Sequence, residues 1–271
     1  MPLNRYLKSK LRDRLDVLAF ALLLAGIAWL VSLGVEQAGY YWQWYRLPRF
    51  LFFTDESGLH AGLLLQGLWV TLQVTGLSFV LAFTIGLLTA LCRISGSPVT
   101  SFFARIYLES IRNTPLLIQI FFIYFVLGPV INLESFGSAV LALSLFEGAY
   151  ASEIFRAGIE SVDKSQWEAA RSLGGTCWFT YREVILPQAL MRITPPLVSQ
   201  GVSLIKDSAL VSTIAVYDLS MQGIAIVSDT FLSYEVWFTV AAVYLVMNLT
   251  LSGFVRLLEN KMSNGTMSYQ Q

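Results

Sequence analysis

The chain has 271 residues, of which 55% are hydrophobic and 13% charged, and its formal net charge is zero. The charged share is about half that of a soluble globular domain. This excludes an ordinary soluble protein, because the chain has too few charged side chains to cover a water-exposed surface. A zero net charge gives no indication of nucleic-acid binding.

Long runs without any charged residue predict membrane-spanning helices. Residues 61–92 and 236–255 contain no charged side chain, and about 20 apolar residues are enough to cross a bilayer as a helix. Runs without polar alternation favour helices over a membrane barrel. We therefore expect an all-α polytopic bundle with about six spans, at residues 15–34, 61–92, 107–128, 138–161, 193–215 and 236–257.

The first predicted span resembles a signal peptide in one respect, since basic residues precede it. Its apolar stretch is long, however, and no small-residue cleavage site stands out before Glu36, so we expect a retained helix. The aromatic segment at residues 40–53 follows it. Tryptophan and tyrosine prefer the membrane interface, and we place this segment at the outer interface.

Lysine and arginine are distributed unevenly between the two sides. Of the 18 such residues, 14 fall on one side of the predicted spans. They precede the first span, lie between the second and third, flank the segment between the fourth and fifth, or follow the sixth. Arg46 and Arg49 fall on the opposite side. The positive-inside rule then predicts that both termini are cytoplasmic, in agreement with an even number of spans. Cys92 and Cys177 are expected to be free thiols on or near this reducing side.

One polar segment, residues 165–187, separates the fourth and fifth predicted spans. Ser165 and Glu168 have the spacing of a capping box, which predicts the start of a short helix. Gly174 and Gly175 are expected to end that helix, because glycine accepts the left-handed conformation at a helix terminus. Thr176 can cap a second helix, which we expect to end near Leu186, just before a proline.

The segment predicts a compact helix–turn–helix outside the membrane. Its small side chains permit the close approach of another protein, and its apolar side chains are of the kind favoured in interface cores. Docking of a partner is one interpretation. An ordinary loop packed on its own bundle is the other.

The sequence of this segment is similar to the EAA loop of ABC importer permeases. Glu168-Ala-Ala, three residues, Gly174, nine residues and then Val184-x-Leu186-Pro187 follow that pattern, with valine in place of isoleucine. In that family the loop is the coupling helix that docks in a groove of the ATPase subunit. The resemblance implies a set of ATPase-docking residues: Trp167, Glu168, Ala169, Ala170, Leu173 and Gly174.

Three further stretches resemble the branch of these permeases that carries polar amino acids. They are residues 112–119, 148–158 and 206–210. The resemblance extends over residues 62–262, and the family core usually has five helices. We therefore expect an extra N-terminal helix and outer segment in residues 1–60, a permease domain in residues 61–262, and a short tail in residues 263–271.

Charged groups inside spans are costly and usually face a cavity or a partner. Lys206 and Asp207 offer the two signs of charge that an amino acid zwitterion needs, although an interhelical salt bridge is an equal alternative. Glu147 is a candidate partner for an ammonium group, and Pro195-Pro196 is expected to weaken the fifth span, where an interruption would expose backbone polar groups. The candidate substrate-binding residues are Glu147, Tyr150, Ser199, Gln200, Ser203, Lys206, Asp207 and Ser208.

Two other charged pairs have a simple structural interpretation. Glu109 and Arg112, and likewise Glu153 and Arg156, are three residues apart and can pair along one helix face.

The sequence contains no GxxxxGK[ST] motif, no catalytic constellation and no metal-ligand cluster, and its single histidine is His60. We therefore do not expect the chain to be an enzyme. The resemblance implies a permease subunit of an ATP-driven importer that moves polar amino acids into the cytoplasm of a bacterial cell by alternating access.

The implied partners are two ATPase subunits, which would hold ATP and Mg²⁺, a second permease that is identical or related, and a substrate-binding protein outside the inner membrane. Two alternatives remain: an ABC permease for another small solute, and an ion-coupled secondary transporter. A membrane enzyme fits the residues less well.

Overall fold

The computed structural model describes residues 18–27, 29–30, 32–34 and 39–267, without the side chains of residues 256 and 258–267. Residues 1–45 and 46–271 form two separate compact units. In the first unit, residues 18–27, 29–30 and 32–34 are helical. The other residues of the first predicted span lie outside the described part of the chain, as do the basic residues before it and the last four of the predicted tail.

The aromatic segment leads into structure that the sequence analysis did not predict. A 3-10 turn at Trp44–Arg46 is followed by helix α1 (Pro48–Leu51) and by an antiparallel hairpin of β1 (Phe52–Asp55) and β2 (Gly58–Ala61). At its turn the Asp55 carboxylate accepts hydrogen bonds from the side chain and backbone of Ser57, at 2.5 and 2.8 Å. These bonds lower the pKa of Asp55.

Eight helical segments follow, and several contain irregular turns. Residues Phe122–Leu127 of α4 and Thr180–Ile185 of α7 are π-helical, and Ser208–Ile214 at the end of α7 is a 3-10 helix. The segments are α2 (Leu63–Ile94), α3 (Pro98–Arg112), α4 (Leu116–Ile131), α5 (Ser135–Glu160), α6 (Lys164–Ser172), α7 (Cys177–Ile214), α8 (Leu219–Thr230) and α9 (Ser233–Met267).

The predicted all-α membrane class is confirmed. Helices α2, α5 and residues Ser233–Val255 of α9 are long and apolar enough to cross a membrane, and the described residues contain up to five spans if α3 with α4 and α7 with α8 each form one bent span. The count of six stays a prediction, because the N-terminal helix lies partly outside the described residues.

The third predicted span, residues 107–128, is wrong as a single helix. Residues 107–112 end α3, and the axes of α3 and α4 differ by 108°. The break has a local cause, since proline disfavours the helical conformation of the residue before it, here Thr114. The Gln119 side chain then stabilises the bend by donating hydrogen bonds to the backbone oxygens of Ile111 and Thr114, both at 2.8 Å.

The expected helix boundary near Leu186 is also wrong, because α7 continues through Pro187. A proline inside a helix lacks the backbone donor and clashes with the carbonyl four residues earlier, here that of Glu183. The wider π-helical turn that immediately precedes Leu186 accommodates this defect. Pro195-Pro196 does not interrupt the helix either, since regular α-helix extends to Asp207.

Helices α2 and α5 pack closely because small residues face each other between them. A Cβ atom at Gly86 would lie 2.8 Å from the Cβ of Ala151 and 2.9 Å from the oxygen of Gly148. Such close backbone approach is typical of membrane helix pairs. Further along the same pair, the Ser78 hydroxyl donates to the backbone oxygen of Val140 at 3.3 Å.

The substitution Gly86→Ala is therefore expected to destabilise the bundle. The added methyl group has no space, and overpacking of this kind costs about 1–3 kcal/mol of unfolding free energy. Gly76→Ala is the matched control, because no atom lies within 4 Å of a Cβ at that position of the same helix. Unfolding of the detergent-solubilised variants measures the difference, and equal stability of the two would contradict the packing.

Candidate functional site

The polar segment forms helix α6 and a glycine turn, but the helix starts earlier than predicted. Asp163 is the N-cap, and its carboxylate accepts a hydrogen bond from the backbone N–H of Ser165 at 2.8 Å. This bond lowers the pKa of Asp163. The predicted cap at Ser165 is wrong, because the helix begins at Lys164 and Ser165 already lies within its first turn, where its own N–H is the donor to Asp163.

The predicted glycine turn is confirmed. Gly174 adopts a left-handed conformation with φ of 77°. Its N–H donates to the oxygen of Arg171 at 2.9 Å, and the N–H of Gly175 donates to the oxygen of Ala170 at 3.0 Å. This is the hydrogen-bond pattern of a Schellman motif. Thr176 caps the next helix as predicted, since its hydroxyl accepts from the N–H of Phe179 at 3.2 Å.

The six candidate docking residues divide into two groups. Trp167 and Ala170 face the bundle: the Trp167 ring packs edge-on against Tyr181 at 4.8 Å, and Ala170 is buried. The other four residues are exposed: Glu168, Ala169, Leu173 and Gly174. Leu173 stands out because 89% of this large apolar residue is exposed.

A second group of candidate residues meets between α5 and α7. Glu147 is only 2% exposed. Its Oε2 accepts a hydrogen bond from the Gln200 side chain, while its Oε1 has no hydrogen bond within the described part of the chain. The carboxyl group of Asp207 is close enough to interact electrostatically with Glu147. The structure thus brings these three predicted residues together.

A small cavity adjoins this group. It measures about 10 Å³, which is room for about one water molecule. Phe79 and Phe83 of α2 line it together with Glu147 and Gln200, and Phe83 packs edge-on against Phe155 at 4.8 Å. The sequence analysis missed both phenylalanines, whose only signal was a spacing of one helical turn within an apolar run.

The remaining candidates are placed differently. Tyr150 lies one turn beyond Glu147 and packs against Phe146, with the ring centres 5.1 Å apart. Ser199 and Lys206 are exposed, and Ser203 is partly buried. Ser208 is fully buried, and its hydroxyl donates to the backbone oxygen of Ile205 at 2.8 Å.

One of the two predicted ion pairs is confirmed. Arg156 Nη2 lies 2.9 Å from Glu153 Oε2. The other is wrong: Arg112 reaches Glu153 of α5 at 3.2 Å, while the Glu109 carboxylate accepts from the Asn113 side chain at 2.9 Å. The cause is the packing of α3 against α5, which brings the Glu153 carboxylate within reach of Arg112 at the end of α3.

Known proteins share both this fold and this polar segment. A membrane helical bundle with an EAA segment defines the permeases of binding-protein-dependent importers. Residues 82–264 match the family model described as the binding-protein-dependent transport system inner membrane component. The chain belongs to this family, and the resemblance inferred from the EAA segment is confirmed.

Two curated relatives cover most of the permease region. The glutamine transport system permease protein GlnP of Escherichia coli K12 is 38% identical over 203 residues, which are 74% of this chain and 93% of the relative. The probable glutamine ABC transporter permease protein GlnP of Bacillus subtilis is 40% identical over 204 residues, which are 74% and 94% of the two chains.

Two solved structures have the same architecture. A chain of an amino acid ABC transporter crystallised with histidines matches with a TM-score of 0.69 and 40% identity, over 73% of this chain and 94% of that one. A chain of the inward-facing MetNI methionine ABC transporter has a TM-score of 0.65 at 18% identity, over 74% and 96%, and shows the shared fold alone.

Proposed function

We propose that this chain is the permease subunit of an ATP-driven importer that moves polar amino acids through the inner membrane into the cytoplasm. The observation that carries the proposal is the EAA segment, folded as helix α6 with its glycine turn and exposed outside the apolar helices. A transporter that needed no partner would have no use for such a surface. The amino acid cargo rests on the relatives named as glutamine permeases and on the match to an amino acid transporter.

The ATPase docks, in this proposal, on the exposed part of α6 and its turn. Leu173 is 89% exposed and Trp178 is 72% exposed, and large apolar side chains in water gain free energy when a partner covers them. Gly174 has no neighbouring atom within 4 Å of a Cβ position, so a partner surface can approach its backbone. ATP and Mg²⁺ bind to the ATPase partner. The side of the membrane on which α6 lies is the cytoplasm.

The remaining partners follow from the mechanism of such importers. Two ATPase subunits drive two permease chains, identical or related, and a binding protein delivers cargo on the outer side. Coupling requires that ATP and the loaded binding protein favour the same conformation of the permease pair. The N-terminal residues 1–60 add a helix and an outer segment to the permease domain of residues 61–262, and residues 263–271 form a tail.

The cargo site, in this proposal, is built around Glu147. A buried carboxylate with one unpaired oxygen is costly in an apolar bundle, and the ammonium group of an amino acid supplies the missing partner. Gln200 positions the carboxylate, Asp207 adds negative charge, and the exposed Lys206 is available to the cargo carboxylate. Tyr150, Ser199, Ser203 and Ser208 complete the proposed set.

The docking surface can be tested without straining the backbone. Leu173→Asp places a charge where an apolar contact is expected, and interface centres of this kind contribute about 2 kcal/mol or more. We expect the ATPase to be lost from the purified complex, while Leu173→Met retains it. Retention of the ATPase with normal transport in Leu173→Asp would contradict docking.

Gly174→Arg tests the same surface by bulk and charge. Because a left-handed glycine resists any substitution, Gly96→Arg is the matched control: its φ is 73°, and its Cβ position is equally open. Loss of the ATPase from Gly174→Arg alone supports the proposal, whereas equal loss from both variants attributes the effect to strain.

The role of Glu147 predicts a change in cargo affinity. A hydrogen bond to a charged group contributes about 1.5–3 kcal/mol, so Glu147→Gln is expected to raise the KM for L-glutamine uptake roughly tenfold or more while ATPase binding persists. Uptake into proteoliposomes with the loaded binding protein measures this, and the exposed Glu134→Gln is the control. A normal KM, with the same preference between L-glutamine and L-arginine, would contradict the assignment.

A further inference from the structure

Glu153 of α5 is the shared partner of three arginines on three helices. Its Oε1 lies 2.5 Å from Arg93 Nη1 of α2 and 3.2 Å from Arg112 Nη1 of α3. Its Oε2 accepts two bonds from Arg156 of α5 itself, at 2.9 and 3.2 Å. The carboxylate has used both oxygens, and each bond is charge-assisted.

Positive charges outnumber negative charges around Glu153, so the packing of the helices at this point depends on its carboxylate. Three guanidinium groups surround it, and among the described residues only Arg156 also pairs with a second carboxylate, that of Glu160 at 2.5 Å. Without the negative charge of Glu153, like charges on α2, α3 and α5 would repel each other. The four side chains are 26–44% exposed, so water screens this interaction only in part.

The position of Glu153 in the chain connects this cluster to the proposed docking helix. Helix α5 ends two turns after Glu153, and three residues then separate it from α6. The end of α5 is also fixed to α7, because the Arg192 side chain donates to the backbone oxygen of Ser161 and, at 2.9 Å, to its hydroxyl. Movement of α6 therefore passes to α5 through this short connection and to α7 through the contact of Trp167 with Tyr181. Glu153 adds ion pairs from α5 to α2 and α3 at the α6 end of the bundle.

We infer that Glu153 is a positioning residue for transport: it joins α2, α3 and α5 at the α6 end of the bundle, so that these helices move with α6 when the ATPase moves it. The inference rests on the proposed function. A contribution to stability alone would lower transport and ATP hydrolysis together. A positioning role changes the ratio between them, because the ATPase still docks on α6 but its movement is passed less completely to the ends of α2 and α3 that Glu153 holds.

The test compares Glu153→Gln with Glu160→Gln in the complete complex, purified from its native membrane and reconstituted with the binding protein. Glu160 is the matched control, since it pairs with Arg156 on the same helix but does not reach α2 or α3. The measurements are L-glutamine uptake and phosphate release. Coupling between sites is commonly worth fivefold or more, so we expect ATP hydrolysed per L-glutamine to rise at least about fivefold in Glu153→Gln and to stay unchanged in Glu160→Gln.

Arg93→Gln provides a second variant with its own readout. If Arg93 acts through Glu153, Arg93→Gln alone also raises the ratio, and the double variant with Glu153→Gln is no worse than Glu153→Gln. An unchanged ratio in Glu153→Gln, or a proportional loss of uptake and hydrolysis, would overturn the inference and leave the proposed function intact. If the loaded binding protein did not change the rate of ATP hydrolysis by the wild-type complex, both the inference about Glu153 and the proposed function would be overturned.

Discussion

Inside a bilayer or at its boundary a charged side chain has little or no water to solvate it, so the protein itself must supply most of its partners. Glu153 receives guanidinium groups from three helices, and Glu147 receives the amide of Gln200. Asp218 accepts from the N–H of Met221 at 2.8 Å and from the hydroxyl of Tyr244 at 3.2 Å. Glu153 joins α5 to α2 and α3, Glu147 joins α5 to α7, and Asp218 joins the start of α8 to α9, so each carboxylate contributes to the packing of the bundle.

Glu147 differs from the other two in one respect that bears on function. Glu153 and Asp218 use both carboxylate oxygens, whereas one oxygen of Glu147 has no hydrogen bond within the described residues. A structural carboxylate is satisfied by the fold, while a binding carboxylate leaves a position for its ligand. In the proposed function, the same bundle therefore holds one carboxylate for packing at the α6 end, Glu153, and one for cargo, Glu147.

The sequence predicted the features that depend on local pattern. Charge-free runs located α2 and α9, the helical composition of a less apolar run located α5, and the glycine pair located the turn after α6. The sequence-based predictions were wrong where contacts between residues distant in the chain determine the structure. Helical spacing paired Arg112 with Glu109, but Arg112 contacts Glu153 on a helix that only the tertiary fold brings near. Pro187 was interpreted as a boundary, because a π-helical turn leaves no clear signal in composition.

Two other features were missed because their sequence signal is short. The hairpin of β1 and β2 has four residues in each strand, too few for alternation to be distinguished from an aromatic loop. At α6, the capping-box spacing of Ser165 and Glu168 was correct as a pattern, but Asp163 is an equally good cap. Choosing between competing caps requires the path of the preceding chain.

The most direct measurement is the identification by mass of what purifies with the solubilised chain from its native membrane. The proposed function predicts a P-loop ATPase at one copy per permease chain, retained through the EAA segment. Recovery of this chain alone, still able to move an amino acid into vesicles without ATP, would contradict it and favour an ion-coupled transporter.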